Sequence, residues 1–562
     1  MPRMRSCFAF IIGVSIVTLL GLVLRPVTLF PPRNIPGDEP PIVDPSSPFS
    51  WHKITPQHTL DWHACYEEYQ CARLLVPLDH ANPRGRQASI ALIRLPAECS
   101  ASSAEYRGPI LFNPGGPGGG GIDQILNRGK RFRSIVGPQF DLVGFDPRGL
   151  GASTPVISLF KTDAQRALWA MGNGAPNTTD QGLAQSSARA LILGKLAAQN
   201  DDGSLQYMNT EQTARDMMKI VEAYGQTKLQ YWGISYGTVI GVTFATLFPD
   251  KIERFFLDGV VDAYNYYGVE WSNSLEDTQK VSDLFVFECN QAGPEACAFW
   301  APTAEQTASK LERLFDTLHK KPVAVFNSET DYGLIDRDAI RMVMFKLLKG
   351  PYSWFQPMAQ GLQDLENGDG TWALEMFKSL VRGDFECPSC RSDPSESVEV
   401  LDDGGTAIWC NDYAQIDDPE SWAEQHYAKM MNGSKWGDIW SRYLLYCQHW
   451  PKYPKSTARG PFSAKTSHPI LFLTNSLDPV TPSFGAYKMS DGFPGSVVLL
   501  QEAVGHASLV ASSPCTHAYI KQYFTEGTLP EPGTICQVDA SFFPKASALA
   551  SGEYQSQIRL SP

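Results

Sequence analysis

The sequence predicts an α/β protein: a mostly parallel sheet with helices on both faces and an inserted helical cap. Three observations predict it. Short, near-continuous apolar runs recur along the chain, each followed by a glycine-bearing turn or a helical pattern, as strands buried on both faces do. One long interval, 263–459, carries helical periodicity in TAEQTASKLERLFDTLHK and DAIRMVMFKLLKG but no comparable buried strand, and reads as the cap. The chain of 562 residues is also longer than one ordinary domain, a length that a sheet core with an insertion accommodates.

At the N-terminus, Arg3 and Arg5 precede an uncharged apolar stretch from Cys7 to Leu24, and Arg25 closes it. Residues 1–25 read as an export signal, either an uncleaved anchor with a cytosolic N-terminus or a cleaved signal peptide. The expectation is a secretory-pathway protein, secreted or held by a single-pass membrane anchor, with its catalytic part lumenal or extracellular. Residues 26–55 are proline-rich and read as a tether.

The first part of the core, 56–262, opens with an antiparallel hairpin: runs Cys71–Pro77 and Ala88–Arg94 flank the turn-forming DHANPRG. Strands are expected at Pro109–Phe112, Phe140–Phe145, Lys228–Trp232 and Arg254–Leu257. After the cap, the C-terminal part of the core, 460–545, supplies strands at Pro469–Thr474 and Ser496–Leu500, and 546–562 is a tail.

A hydrophobic share of 43% and a charged share of 19% describe a globular chain with a large core, neither disordered nor polytopic. The net charge of −13 repels phosphate backbones and argues against nucleic acid as a partner. Twelve cysteines are a heavy load for a cytosolic enzyme. Several stand in local pairs: Cys65 with Cys71, Cys289 with Cys297, Cys387 with Cys390, Cys410 with Cys447, and Cys515 with Cys536. Spacing does not fix connectivity, and the odd number beyond Cys7 leaves a thiol over, for which Cys99 is the candidate. A zinc or redox reading of Cys387-x-x-Cys390 lacks a second such pair, so disulfide use is favoured and no metal or cofactor is expected. Asn177 and Asn432 head glycosylation sequons that gain meaning only on export.

Gly233-Ile234-Ser235-Tyr236-Gly237 matches G-x-S-x-G, with LQYW before it as a strand and TVIGVTFATLF after it as a helix. That context makes Ser235 the candidate nucleophile, presented on a strained strand-to-helix turn where flanking glycines remove clashes. A serine needs a base, and the base needs an orienting acid further along the chain in the order Ser, Asp, His. His506, just past the last expected strand, is the base. Asp478, in the loop after PILFLT, is the acid. Asp258 and Asp262 are rivals at the exit to the cap, and Asp491 and Glu502 read as surface charges. Acyl transfer also needs donors for an oxyanion hole. The backbone N–H of Tyr236 is one; the loop Asn113–Gly121 supplies the other, with Gly116 favoured because Pro114 and Pro117 have no N–H. The glycine run lacks the Lys-Ser/Thr of a phosphate loop and the spacing of a dinucleotide fingerprint.

Together NPGGPGGGG, FDPRGLGAST, YWGISYGT, FPDKIERFFLDGVVD, AIWCNDY, PILFLTNSLDPVTP and GHAS resemble the proline iminopeptidase and tripeptidyl aminopeptidase branch of the α/β-hydrolase fold, from about Tyr66 to Cys536. NPGGPGG and DPRG place the resemblance nearer the tripeptidyl aminopeptidases, with a TAP-like C-terminal region. The resemblance implies a cap that closes over the core and cap carboxylates that hold a substrate's α-amine. Glu270, Glu276, Asp277 and Glu386 are possible amine partners, although each reads more readily as a solvated charge. Arg148 resembles the motif arginine that braces the loop near the active site.

The expected function is therefore an exported serine aminopeptidase that releases short peptides from substrate N-termini through an acyl-enzyme. An esterase or small-molecule hydrolase with the same triad is the runner-up. An inactive hydrolase-fold binding module is the remote alternative, disfavoured because serine, acid, base and oxyanion glycines are all present.

Overall fold

The computed structural model describes residues 49–171, 174–177, 179–382, 403–455 and 458–544. The export segment, residues 26–48 of the tether, Cys7, Cys387, Cys390, Glu386 and the C-terminal tail lie outside the described residues. Among those described, no helix is long and apolar enough to cross a membrane.

Among the described residues twelve strands form: β1 His63–Cys65, β2 Tyr69–Pro77, β3 Gln87–Leu95, β4 Pro109–Asn113, β5 Asp141–Phe145, β6 Leu229–Ile234, β7 Ile252–Asp258, β8 Val323–Phe326, β9 Tyr332–Ile335, β10 Leu471–Leu477, β11 Val497–Val504 and β12 Ile535–Gln537. Ten of them make one sheet in the order β1-β2-β3-β5-β4-β6-β7-β10-β11-β12. The pairs from β5 to β12 are parallel, and only β1, β2 and β3 run antiparallel to their neighbours. The central strands are apolar without alternation because both faces are covered. In β6, Tyr231 and Trp232 are both fully buried on opposite faces: Tyr231 packs against Phe255 with tilted rings, while Trp232 packs with Phe112, Phe132 and Phe256.

The expected hairpin is β2–β3, paired from Gln70↔Arg94 to Pro77↔Gln87, and all six expected later strands are present with ends shifted by a few residues. The interval between β7 and β10 is mainly helical, from Ala263–Gly268 to Gly437–Leu445, with its own core around Phe285, Phe345, Phe355 and Leu362. It also contains β8 and β9, an antiparallel pair that the helical reading did not anticipate. Phe326, Tyr332 and Leu334 on that pair are largely exposed, so it carries no signature of a buried strand. Four local cysteine pairs are disulfides: Cys65–Cys71, Cys289–Cys297, Cys410–Cys447 and Cys515–Cys536; Cys99 is a free thiol.

Candidate active site

The sequence singles out a serine, an acid and a base, and the sheet order brings them to one edge. Ser235 follows β6, Asp478 follows β10 and His506 follows β11, all at the carboxyl ends of parallel strands with β7 between the first and second. Ser235 has φ 57° and ψ −124°, a conformation unfavourable for any residue with a Cβ. The turn is over-determined: the Ser235 N–H donates to the Asp258 carbonyl (3.0 Å), and the Ser235 carbonyl accepts from the Thr238 N–H (2.8 Å) and hydroxyl (2.6 Å). The motif glycine Gly233 is required by contact, since a Cβ there would meet the Gly237 carbonyl at 2.5 Å.

Asp478 is fully buried and its carboxylate is saturated with donors. It accepts from the N–H groups of Val480 (3.0 Å), Thr481 (2.9 Å) and Ala507 (3.1 Å) and from the Thr481 hydroxyl (2.7 Å). Its two oxygens lie 2.9 and 3.1 Å from His506 Nδ1. Burial alone would raise this carboxyl's pKa, but the His506 charge and the converging hydrogen bonds outweigh it and hold the pKa below the ordinary range.

With Nδ1 engaged, the His506 ring turns its other edge away from Asp478. A Cβ on Gly259 would lie 3.3 Å from His506 Cε1, and Ser235 bonds the carbonyl of the preceding residue, so serine and histidine share the Asp258–Gly259 peptide as a floor. The His506 backbone N–H donates to the carbonyl of Lys349 (2.7 Å), which ties the loop carrying His506 to the interval between β7 and β10.

Above the serine, the glycine loop comes close. A Cβ on Gly115 would stand 2.8 Å from both Ser235 Cβ and the Tyr236 nitrogen, so only glycine lets the loop approach. The Gly115 N–H is spent on Asn113 Oδ1 (3.0 Å). Gly116, the residue proposed from sequence as the second donor, follows at φ 111°. Tyr236 opens the helix Tyr236–Leu247, where a first-turn N–H has no partner within its helix.

The rival acids are occupied elsewhere. Asp258 accepts from Ser508 N–H (2.8 Å) and hydroxyl (2.6 Å), and burial raises its pKa to about 6 despite those bonds. Asp262 caps the helix Ala263–Gly268 and pairs with Lys488 (2.7 Å). Asp491 and Glu502 are exposed. Arg148 is wholly buried against Asp216 (2.5 and 2.8 Å) and the carbonyls of Pro77 and Leu78, and His80 shares Asp216, an arrangement that braces the loop after β5.

Of the candidate amine partners, Glu276 is exposed, and Glu270 pairs with Lys429 with about half its side chain in solvent. Asp277 departs from the solvated reading: it is buried and paired with Lys280 (2.7 Å). Two residues went unnoticed in the sequence. Thr481, which bonds Asp478 and lies 3.1 Å from His506 Nδ1, carries no signal beyond its place in DPVTP. Asp412, buried in the AIWCNDY motif, has its pKa raised by burial to about 6. Among the described residues, no cluster of three metal-ligating side chains occurs.

Residues 433–536 match the family model described as TAP-like protein. Over 473 residues the chain is 28% identical to the serine protease Hip1 of Mycobacterium tuberculosis, covering 83% of this chain and 87% of that protein. It is 25% identical over 509 residues to the tripeptidyl aminopeptidase of Streptomyces lividans, covering 86% and 87%. Carboxylesterase B of M. tuberculosis is 26% identical over 500 residues, with 86% and 90% covered.

Proposed function

We propose that this chain, an α/β-hydrolase of the tripeptidyl aminopeptidase-like group with a TAP-like C-terminal region, is a serine peptidase acting through Ser235, His506 and Asp478. The observation that carries the reading is the pairing of His506 Nδ1 with the buried Asp478 carboxylate at the same carboxyl end of the sheet as Ser235, which is held at φ 57° on a strand-to-helix turn. In the proposed mechanism, Ser235 Oγ attacks the scissile carbonyl as His506 Nε2 takes its proton. Asp478 fixes the ring orientation and stabilises the imidazolium. The N–H groups of Tyr236 and Gly116 receive the oxyanion, and the imidazolium then protonates the leaving amine. Water, deprotonated by the same histidine, releases the acyl group.

The likeness to serine protease Hip1 and to a tripeptidyl aminopeptidase supports a peptide substrate and, more specifically, release of short peptides from a free N-terminus. The comparable likeness to a carboxylesterase supports ester hydrolysis by the same residues as the second reading. The four disulfides among the described residues support a protein that works outside the reducing cytosol, in keeping with the reading of residues 1–25 as an export signal.

The test is fluorophosphonate labelling with the modified residue mapped by mass, followed by turnover of N-terminally free peptides, N-acetyl peptides and p-nitrophenyl esters. Label on Ser235 with turnover of free peptides is the expected result. Label at another residue overturns the assignment.

A further inference from the structure

Asp412 lies in the cap, far along the chain from Ser235, and none of the proposed chemical steps uses it. It is nevertheless joined to the residue after the nucleophile by an unbroken line of hydrogen bonds. Its Oδ2 accepts from the Thr210 hydroxyl (2.5 Å) and the Tyr266 hydroxyl (2.8 Å), and its Oδ1 accepts from the Thr210 N–H (3.0 Å). The Thr210 oxygen lies 2.6 Å from the Tyr236 hydroxyl. With Asp412 ionised, above its raised pKa of about 6, the polarity of this line is fixed by chemistry. Thr210 has one hydroxyl proton, and an ionised carboxylate can only accept, so that proton points to Asp412 and the Tyr236 hydroxyl donates to Thr210.

Every member is buried: Asp412 and Thr210 are inaccessible, Tyr266 is 1% exposed and Tyr236 is 2% exposed. The Tyr236 ring also packs on Tyr266 with centroids 5.5 Å apart. The neighbouring Asn411 fixes the same cap helix, Asp403–Asp412, to the core by donating to the carbonyls of Leu205 (2.7 Å) and Met208 (2.9 Å), just before Thr210. The cap segment therefore sits on the core through Thr210 and meets the nucleophile turn through Tyr236.

Tyr236 has two ends that matter. Its backbone N–H is the donor assigned to the oxyanion, and its ring is gripped by Thr210 and the cap. Ring and N–H share one Cα in a turn already strained at Ser235, so a shift of the ring re-aims the N–H. An oxyanion donor misplaced by a fraction of an ångström loses most of its value, because its contribution depends on being set before charge develops.

We propose that Asp412 is a positioning residue of the active site: through Thr210 it holds the Tyr236 ring and so aims the Tyr236 backbone N–H at the oxyanion. The proposal rests on the serine-hydrolase reading above. It makes the oxyanion hole dependent on the seating of the helix Asp403–Asp412, since Asp412 and Tyr266 lie in the interval between β7 and β10 while Thr210 and Tyr236 precede it in the chain.

The test uses the full chain, four single variants (Asp412→Asn, Tyr236→Phe, Thr210→Val and Thr210→Ser) and the double variant of the first two. The readouts are kcat and KM on one substrate, plus the affinity of a peptide boronic acid, whose tetrahedral adduct places an oxygen in the oxyanion hole. Asp412→Asn, Tyr236→Phe and Thr210→Val should each lower kcat and boronate affinity about tenfold with KM within twofold. Thr210→Ser, which keeps the hydroxyl, should stay near wild type. The Asp412→Asn, Tyr236→Phe double variant should be no worse than the weaker single one, because both cut the same line. If Asp412→Asn does not fold, Tyr236→Phe and the Thr210 pair carry the test unaided. Unchanged kcat and boronate affinity in Tyr236→Phe and Thr210→Val would overturn the proposal, as would losses that multiply in the double variant. A wild-type protein that neither binds the boronate nor labels with fluorophosphonate removes the serine-hydrolase reading, and this proposal with it.

Discussion

Asp258 grips Ser508 through both its backbone N–H (2.8 Å) and its hydroxyl (2.6 Å), and so anchors the loop that carries His506 without touching the imidazole Nδ1. Asp478 takes the imidazole itself at 2.9 Å. Two buried carboxylates thus serve the same loop in different ways, and substitution should separate them. Asp478→Asn is expected to lower kcat by about 10³–10⁴ with little loss of stability, since it disturbs the tautomer and orientation of His506. Asp258→Asn should cost stability first and turnover second. Steady-state kinetics beside thermal melts decides; the reverse pattern makes Asp258 the acid.

The same carboxyl predicts a dependence of stability on pH. Burial raises the folded pKa of Asp258 to about 6 from an ordinary value of 3.8. The fold therefore favours the neutral form: its contribution is fully present below about pH 4 and is lost as pH rises through about 6. The shift corresponds to something on the order of 2–3 kcal/mol. Asparagine is neutral throughout, so the Tm of Asp258→Asn relative to wild type should climb between pH 4 and pH 7. A difference that stays flat or falls over that range contradicts the buried, neutral-leaning carboxyl.

Ser235 holds φ 57° with a Cβ in place, and conformations of this kind cost about 1–3 kcal/mol. Glycine adopts them without that cost. Both Ser235→Ala and Ser235→Gly should abolish fluorophosphonate labelling, yet Ser235→Gly should unfold at the higher temperature, by the equivalent of about 1 kcal/mol or more. An alanine variant as stable as the glycine one would show that the turn is unstrained.

The disulfides make a chemical prediction. In denatured, unreduced protein, Cys99 should alkylate while Cys65, Cys71, Cys289, Cys297, Cys410, Cys447, Cys515 and Cys536 stay protected. Cys410–Cys447 closes a separation of 37 residues, so opening it should cost about 4 kcal/mol in chain-entropy terms. Peptide mapping after alkylation reads both states, and labelling of most cysteines before reduction would refute the oxidised picture.

These features differ in how far the sequence disclosed them, for physical reasons. The turn at Ser235 was legible because its requirements are local: an apolar strand, a glycine on each side and a helix within a few residues. Asp478 and His506 were legible because each follows an expected strand of a parallel sheet. By contrast, β8 and β9 form an exposed hairpin whose side chains obey no burial period, and a reading based on periodicity passes over it. Asp412 stood in a noticed motif, but its partner Thr210 is 202 residues away, and nothing in either stretch announces the other. Asp277 read as solvated because isolated acids usually are, whereas here tertiary packing buries it beside Lys280.

The remaining prediction concerns the substrate's amine. Release of peptides from a free N-terminus requires negative charge where the ammonium sits, because burying that cation unpaired is costly. Glu270 is paired with Lys429 and Glu276 is exposed, so neither is committed to such a subsite, and Glu270→Gln and Glu276→Gln should leave kcat/KM on free peptides within about twofold, as surface charges do. Asp277 is buried but already neutralised by Lys280. The substrate itself is the sharper probe. Acetylation removes the ammonium charge and adds bulk at the end of the peptide that an exopeptidase must enclose, so kcat/KM should fall about tenfold to a hundredfold or more, equivalent to roughly 1.4–2.8 kcal/mol. Esters of small acids never reach that subsite, and their hydrolysis should be indifferent to it. Equal turnover of free and acetylated peptides would exclude the exopeptidase reading while leaving Ser235, His506 and Asp478 in place, and rapid ester hydrolysis without peptide turnover would favour the esterase.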